Sequence, residues 1–461
     1  MSIISAFIVP HPPLIVPQIG QGQEKAVGET IEAYHQIASR IAVLKPDTIV
    51  VTTPHSVLYS DYLHISPGLE AKGDFGRFGA GEVQFSVNYD AEYRESLLDL
   101  VNKNGIDAGT LGEKSSALDH GTMVPLYFIN QYYRDYRLVR ISLSGLSRLT
   151  HYRLGKCLAQ AAEQTGKRVI VLASGDLSHK LKAEGPYGYA PEGPEFDKEV
   201  TEAMAAGDFL RFMTLEEEIC EAAGECGLRS FVIMSGALDG YAVKPELLSY
   251  QGTFGVGYAV ASFETIAEDP TRRFDLSYEK YLEQRIKDIR SNEFEPVRLA
   301  RKSLEYYLQN RQTMPIQEDI SPELTSRKAG VFVSLKLEGR LRGCIGTIAA
   351  TTENIAKEII QNAMSAGTQD PRFPPVTEDE LPHLVYSVDV LAEPEPISSK
   401  AKLDPFQYGV IVESKGRRGL LLPNLEGINT VDEQLAIALE KAGISQDEPY
   451  TMQRFKVVRY Q

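Results

Sequence analysis

Five short apolar runs in the first half constrain this chain more than any other feature. IISAFIVP, DTIVVTTP, YRLVRISLS, KRVIVLASGD and TFGVGYAVASFE each read as a strand. Between them the apolar residues fall at helical spacing. In EKAVGETIEAYHQIASRIAVL, Ile31, Tyr34, Ile37, Ile41 and Leu44 share one helical face. HYRLGKCLAQAAEQTG reads as a helix closed by a glycine. Continuous apolar strands separated by helices need cover on both faces. The expected fold is α/β, a mixed and mostly parallel sheet with helices on both sides.

The pattern changes near residue 265. ETIAEDPTRRFDLS is polar, contains a proline and reads as a linker over 266–280. Two charged amphipathic helices follow, YEKYLEQRIKDIRS and EPVRLARKSLEYYLQNRQ. Then come a hairpin turning at Glu338 and Gly339, a helix from TENIAKEIIQNAMSAG, strands LVYSVDVLA and YGVIVES, and a helix from TVDEQLAIALEKAG. This is a smaller α+β domain over 281–461, behind a first domain over 1–265.

Composition narrows the class. The formal charge of −15 argues against a broad nucleic-acid face. Four scattered cysteines do not make a disulfide framework, so a reducing cytoplasm is the expected setting. No run of about 18 apolar residues suggests a membrane span. The N-terminus lacks a basic region and a small-residue cleavage site, so no signal peptide is expected.

Three strand ends deliver histidines. IISAFIVP leads into His11, flanked by Pro10, Pro12 and Pro13; DTIVVTTP leads into His55; VIVLASGDLSH ends in Asp176 and His179. His120 stands in ALDHGTMVPLYF, before an expected helix. Open α/β sheets bind ligands beyond the carboxyl ends of their strands, so parallel neighbours would gather His11, His55 and His179 in one crevice. Two neutral imidazoles and a carboxylate suit non-haem Fe(II), and a further histidine can then act as a base. His35, His64, His151 and His383 lack this placement and are expected at the surface.

These residues carry a family resemblance. PHPP (10–13), TPHS (53–56), DHGTMVPL (119–126), SGDLSH (174–179) and GECGLRSFVIMSGAL (224–238) resemble the class III, LigB-like extradiol dioxygenases and their Memo-like relatives. The resemblance implies an oxidoreductase with iron on His11 and His55, His179 as acid/base and His120 lining the pocket. Asp176 would orient His179. Small aromatic substrate and O2 would be the reactants. Dioxygenases of the family supply a glutamate as third ligand and Memo-like proteins a cysteine. This chain has Glu225 and Cys226 side by side, of which one serves and not both. Glu225 is preferred; Cys226 would make a softer site, tolerant of Cu or Zn.

The second half resembles the AMMECR1 family through LRGCIG (341–346), DPRFPPV (370–376), YSVDVL and GRRGLLLP. Its candidate site residues are Cys344, Arg342 and Arg372. The fusion resembles the bacterial AmmeMemoRadiSam group, which implies a radical-SAM protein as partner; a homo-oligomer stays open. KGRRG (415–419) is expected as a solvated hairpin turn, and GDFGRFGAG (73–81) as a surface loop or a rim over the crevice.

Overall fold

The computed structural model describes residues 2–337, 339–425 and 427–461. It divides into two compact units, Met1–Lys280 and Tyr281–Gln461.

In the first unit the elements run β1 (Ile3–Val9), α1 (Gly28–Leu44), β2 (Thr48–Thr53), β3 (Glu70–Phe75), β4 (Ala80–Asn88), α2 (Ala91–Lys103), α3 (His120–Ile129), β5 (Arg137–Ser142), α4 (Arg148–Thr165), β6 (Val169–Ser174), α5 (Glu192–Ala206), α6 (Glu217–Ala223), α7 (Leu228–Ala237), β7 (Tyr241–Gln251), β8 (Tyr258–Glu268) and α8 (Phe274–Ser291). Helix α8 continues past the boundary into the second unit.

The large sheet has the order β5-β2-β6-β1-β8-β7. Its first four strands are parallel; β8 and β7 complete it antiparallel. It is the expected mixed, mostly parallel sheet. β2 and β6 are buried at every residue, as strands covered on both faces must be. Helices α1 and α3 pack over one face, where Tyr34, Ile37, Val124 and Phe128 meet Phe7, Val9, Ile49 and Leu172. Helix α7 lies on β6, β1 and β2, with α4 against it.

The register places the site. Val9 pairs with Ser174, and Thr52 with Ala173, so β1, β2 and β6 end level. His11, His55 and Asp176 each follow two residues beyond their strand's last residue.

The 266–280 stretch carries structure. β8 runs through Glu268, paired with Tyr241 of β7, and α8 begins at Phe274. The outer half of β8 is largely exposed. Strand pairing there needs no apolar side chains, which is why the sequence reads as a linker.

The second unit contains α9 (Glu295–Asn310), β9 (Val331–Leu337), β10 (Arg340–Gly346), α10 (Ile355–Thr368), β11 (Leu384–Leu391), β12 (Glu395–Ile397), β13 (Gly409–Ser414), β14 (Arg417–Leu421), α11 (Val431–Ala442), β15 (Thr451–Phe455) and β16 (Val457–Tyr460). Two four-stranded sheets form, β10-β9-β11-β16 and β12-β15-β13-β14. Helices α9 and α10 bury one face of the first sheet through Val331, Val333 and Leu335. Part of its other face meets the second sheet through Phe332, Leu391, Ile411, Leu420 and Phe455. The β9–β10 hairpin forms; of its expected turn, Glu338 lies outside the described residues, and Gly339 has φ 81°. KGRRG is the turn and first residues of the β13–β14 hairpin.

Candidate metal centre

The strand ends bring the histidines together. His11 is buried, with its Nε2 2.8 Å from Nε2 of His55 and 3.7 Å from Sγ of Cys226. The donor atoms of these three residues all lie within 4.8 Å of one another. His120 stacks on His55 at 4.0 Å between ring centroids. His55 itself is exposed, so the cluster opens to solvent on its side.

Neighbouring groups set the orientation of His11. The Ser174 hydroxyl donates to the carbonyl of Gly121 at 2.6 Å and lies 3.0 Å from His11 Nδ1. With its proton spent on Gly121, Ser174 accepts from Nδ1–H of His11. That tautomer leaves the Nε2 lone pair facing His55 and Cys226. Asp176 Oδ1 accepts the backbone N–H of His11 at 2.8 Å. On the other side, Thr53 donates to Asp119, which caps the first turn of α3 and so sets His120.

The pocket carries little charge. Burial first, then the neighbouring imidazoles, holds His11 well below the ordinary histidine range. Loss of hydration among the packed rings lowers His55 and His179 to about 4, the exposed edge of His55 notwithstanding, and it lowers His120 too. All four are uncharged near neutral pH, with lone pairs available to a cation or a proton. Burial, with Asp176 nearby, pushes the Cys226 thiol well above its usual range. A thiol in that state gives up its proton when a metal takes the sulfur. Two neutral imidazoles and one such thiol fit a single soft-donor metal ion.

Glu225, the preferred third ligand, is not in the cluster. Its Oε2 accepts the backbone N–H of Leu228, the first residue of α7, at 2.6 Å. Cys226 faces His11 instead because two glycines meet. A Cβ on Gly175 would lie 2.1 Å from the Cα of Gly227, so only glycines let the β6 exit touch the start of α7. That contact sets Cys226 against the Asp176 amide, whose N–H points at Sγ from 3.3 Å.

Asp176 also departs from expectation. Its carboxyl holds the backbone of His11 rather than orienting His179, and burial raises it to about 7. His179 instead stacks on Tyr187 at 5.0 Å and interacts electrostatically with His11 and His55. Two of the expected surface histidines are buried. His64 lies beneath Ser142, and His151 Nδ1 bonds the Ser147 carbonyl at 2.8 Å. His64 sits in a two-residue strand, where no period can show; His151 stands at helical spacing from Leu154, Gly155 and Leu158 on the buried face of α4, so its burial was legible in the spacing.

Three contributors were not read from the sequence. Ser174 fixes the His11 tautomer. Phe78, at the tip of the β3–β4 hairpin, meets His120 at 5.5 Å between ring centroids, so the 73–81 segment, read first as a surface loop, also touches the histidine cluster. Tyr187, 61% exposed, covers His179. An aromatic residue in a glycine-bounded loop beside a histidine site was the available signal.

In the second unit Arg342 forms a two-bond pair with Glu380, at 2.6 and 3.0 Å. Arg372 pairs with Asp370 and donates to the Cys344 carbonyl. Gly343 is required by contact, since a Cβ there would lie 2.1 Å from the carbonyl oxygen of Ala366 in α10.

With this geometry, the comparisons assign the family. Residues 5–261 match the model of the catalytic LigB subunit of aromatic ring-opening dioxygenase, and residues 297–461 match AMMECR1. The chain belongs to the LigB family, in a form that carries an AMMECR1 domain behind it. A protein of Clostridium acetobutylicum is 42% identical over 100% of this chain and 99% of its own length. A shorter protein of Thermotoga maritima is 50% identical over 36% of this chain and 95% of its own. The crystal structure of an uncharacterized Pyrococcus horikoshii protein is 35% identical, covering 36% of this chain and 88% of that one, with a TM-score of 0.33. Among the described residues no helix is long and apolar enough to cross a membrane.

Proposed function

We propose that the first unit holds one divalent metal through His11, His55 and Cys226 and serves as a metal-dependent oxidoreductase in a modification pathway. Iron is the ion of this reading, with copper or zinc tolerated by the same donors. The observation that carries it is the convergence of two imidazole nitrogens and one sulfur within 4.8 Å. A thiolate in place of a carboxylate makes the site softer than the facial set used for O2-dependent ring cleavage. A radical-SAM protein is the pathway partner consistent with the two-domain form.

When bound, the metal supplies a Lewis-acidic, redox-capable centre. The chain's own groups do the rest. Ser174 holds the tautomer of His11, and Asp176 holds its backbone. His120 and His179, uncharged and beside the open face, take a proton from a substrate hydroxyl. That pair favours a second reading, extradiol cleavage of a catechol-like aromatic with O2.

The test is anaerobic purification, metal analysis and O2 uptake with a panel of catechols. The proposal expects one metal per chain, lost in Cys226→Ala and retained in Glu225→Gln, with no catechol turnover. Ring-opened product would establish the second reading. Metal retained in Cys226→Ala and lost in Glu225→Gln would overturn the ligand set.

A further inference from the structure

The β3–β4 ribbon has one covered edge and one open edge. Its strands pair antiparallel, with Lys72 opposite Ser86. On the far side of β3 the Leu118 amide donates to the Lys72 carbonyl at 2.9 Å, so Lys72 turns its backbone groups out of the ribbon. In an antiparallel ladder, directly opposed residues either bond each other or both turn outward. Ser86 therefore turns its N–H and C=O away from β3, and Gln84 and Asn88, two residues to either side, do the same. Two residues further on, the Asp90 N–H donates to the carbonyl of Leu138 in β5 at 2.9 Å. Among the described residues no hydrogen bond from outside the ribbon reaches the backbone of 82–88.

Open edges are commonly blunted by lysine or proline. β7, the outer strand of the large sheet, carries Lys244 and Pro245. EVQFSVN, over 82–88, has neither. This edge is recessed instead. β4 on one side and Tyr127, Asn130, Gln131, Arg134 and Tyr136 on the other line a groove of about 450 Å³. Asp90 and Leu138 lie two residues beyond Asn88 and Tyr136, so their bond closes the groove at one end. The facing wall is already ordered. The Tyr136 hydroxyl donates to Asn130 Oδ1 at 2.8 Å, and the Tyr127 hydroxyl to Gln18 Oε1 at 3.2 Å. Arg134 donates through Nε to the Asn130 carbonyl at 2.6 Å. Among the described residues its Nη groups have no hydrogen-bond or ion-pair partner, and it is the one cation lining the groove. A guanidinium held at Nε offers its outer edge to a carboxylate with little further ordering.

Shape and chemistry select the occupant. A row of outward N–H and C=O groups recognises extended backbone, as in strand addition. A second copy of this chain would bring the same edge behind the same wall, so two copies cannot pair edge to edge. From Gln84 to Asn88 the edge runs about 13 Å, room for about five extended residues. We propose that this groove binds an extended peptide segment of a partner protein, which adds a strand to β4 through Gln84, Ser86 and Asn88 and sets an acidic side chain against Arg134. Backbone bonds supply the affinity, and Arg134 supplies the sequence preference.

Random heptapeptides displayed on phage are selected on the full chain, and the winning peptide is synthesised. When bound, it should slow hydrogen exchange at the Gln84, Ser86 and Asn88 amides. Methylating alternate backbone nitrogens of the peptide should abolish binding in one phase and spare it in the other. Replacing its acidic residue, or Arg134→Gln, should weaken binding by on the order of tenfold, the worth of one charge-assisted hydrogen bond. Arg134→Glu should bind the peptide carrying lysine at that position, which separates recognition from misfolding. Ser86→Pro removes an outward N–H and no bond within the ribbon, and should abolish binding with the melting temperature little changed. Four results would overturn the proposal: no enriched peptide, slowed amides elsewhere than on β4, methylation that acts alike in both phases, or 82–88 amides protected by self-association at raised protein concentration.

Discussion

The pocket around His11 and the cluster around Cys344 both rest on a glycine that a neighbouring backbone nearly touches. They treat charge in opposite ways. The first strips water from its imidazoles until they are neutral, and its buried acid, Asp176, is pushed up to about 7. The second, and the unit around it, meets several carboxylates with a cation or donors. Asp370 is held far below the ordinary carboxylate range by Arg372. Burial opposes ionisation of Glu358, but hydrogen bonds from Thr347, Thr352 and Thr351 outweigh it. A neutral, lone-pair-rich pocket suits a cation; in the second unit the carboxylates already have their cations and donors.

The sharpest way to break this contrast is to remove a donor from the first pocket. His11→Ala or Cys226→Ala should lower metal affinity by more than about a hundredfold, beyond the usual cost of losing a supporting group. Glu225→Gln should leave the metal and cost about 1 kcal/mol of stability through its weakened contact at the start of α7. Metal titration and thermal melts separate the two effects.

Acid comes next. His64 and His151 are lowered to about 4, chiefly by burial, while the unfolded chain titrates near 6.5. The unfolded state therefore binds protons first as pH falls. Stability is fully present above about 6.5 and is lost between there and 4, by several kcal/mol for the pair. In the second unit Glu448 is held to about 2 by Arg417 and Ser414, and Glu380 is also depressed: burial raises it, but Arg342 prevails. Stability from these groups persists until pH falls below the ordinary carboxylate range of about 4. Hydrogen exchange against pH should show the first unit opening before the second. Simultaneous opening would remove the contrast.

Asp370→Asn should cost about 1–3 kcal/mol locally, because the Arg372 anchor and the acceptor for Cys344 N–H are both weakened. Exchange rates in β10 and the 370–376 turn report it. The smallest effect should be a gain. Both ring nitrogens of His64 are buried without a partner among the described residues. His64→Leu should therefore raise stability by about 1 kcal/mol, provided the shape is accommodated. A loss would mean the ring is satisfied by water.

Much of this was legible because strand ends are written in sequence. The apolar runs stop at Val9, Thr53 and Ser174, and a sheet whose strands end level must gather whatever follows them. Nothing in the sequence could place His64 inside, since it lies on no periodic apolar face, whereas His151 shares the helical face of Leu154, Leu158 and Ala161. The second domain showed its elements clearly, and the hairpin spacing pairs Ser334 of β9 with Cys344, yet the other partners of Cys344 come from the 370–372 turn. No local spacing links that turn to β10.

The chain by itself determined its strand order of appearance, its two halves and the arrival of three histidines at one edge, because hydrophobic period and turn residues act locally. Tertiary structure alone set Cys226, and not Glu225, beside His11 and His55. The two neighbours have opposite fates because Gly175 packs on Gly227, which turns the sulfur toward His11, while the Leu228 amide takes the carboxylate. A contact between residues about fifty positions apart carries no signal in either neighbourhood.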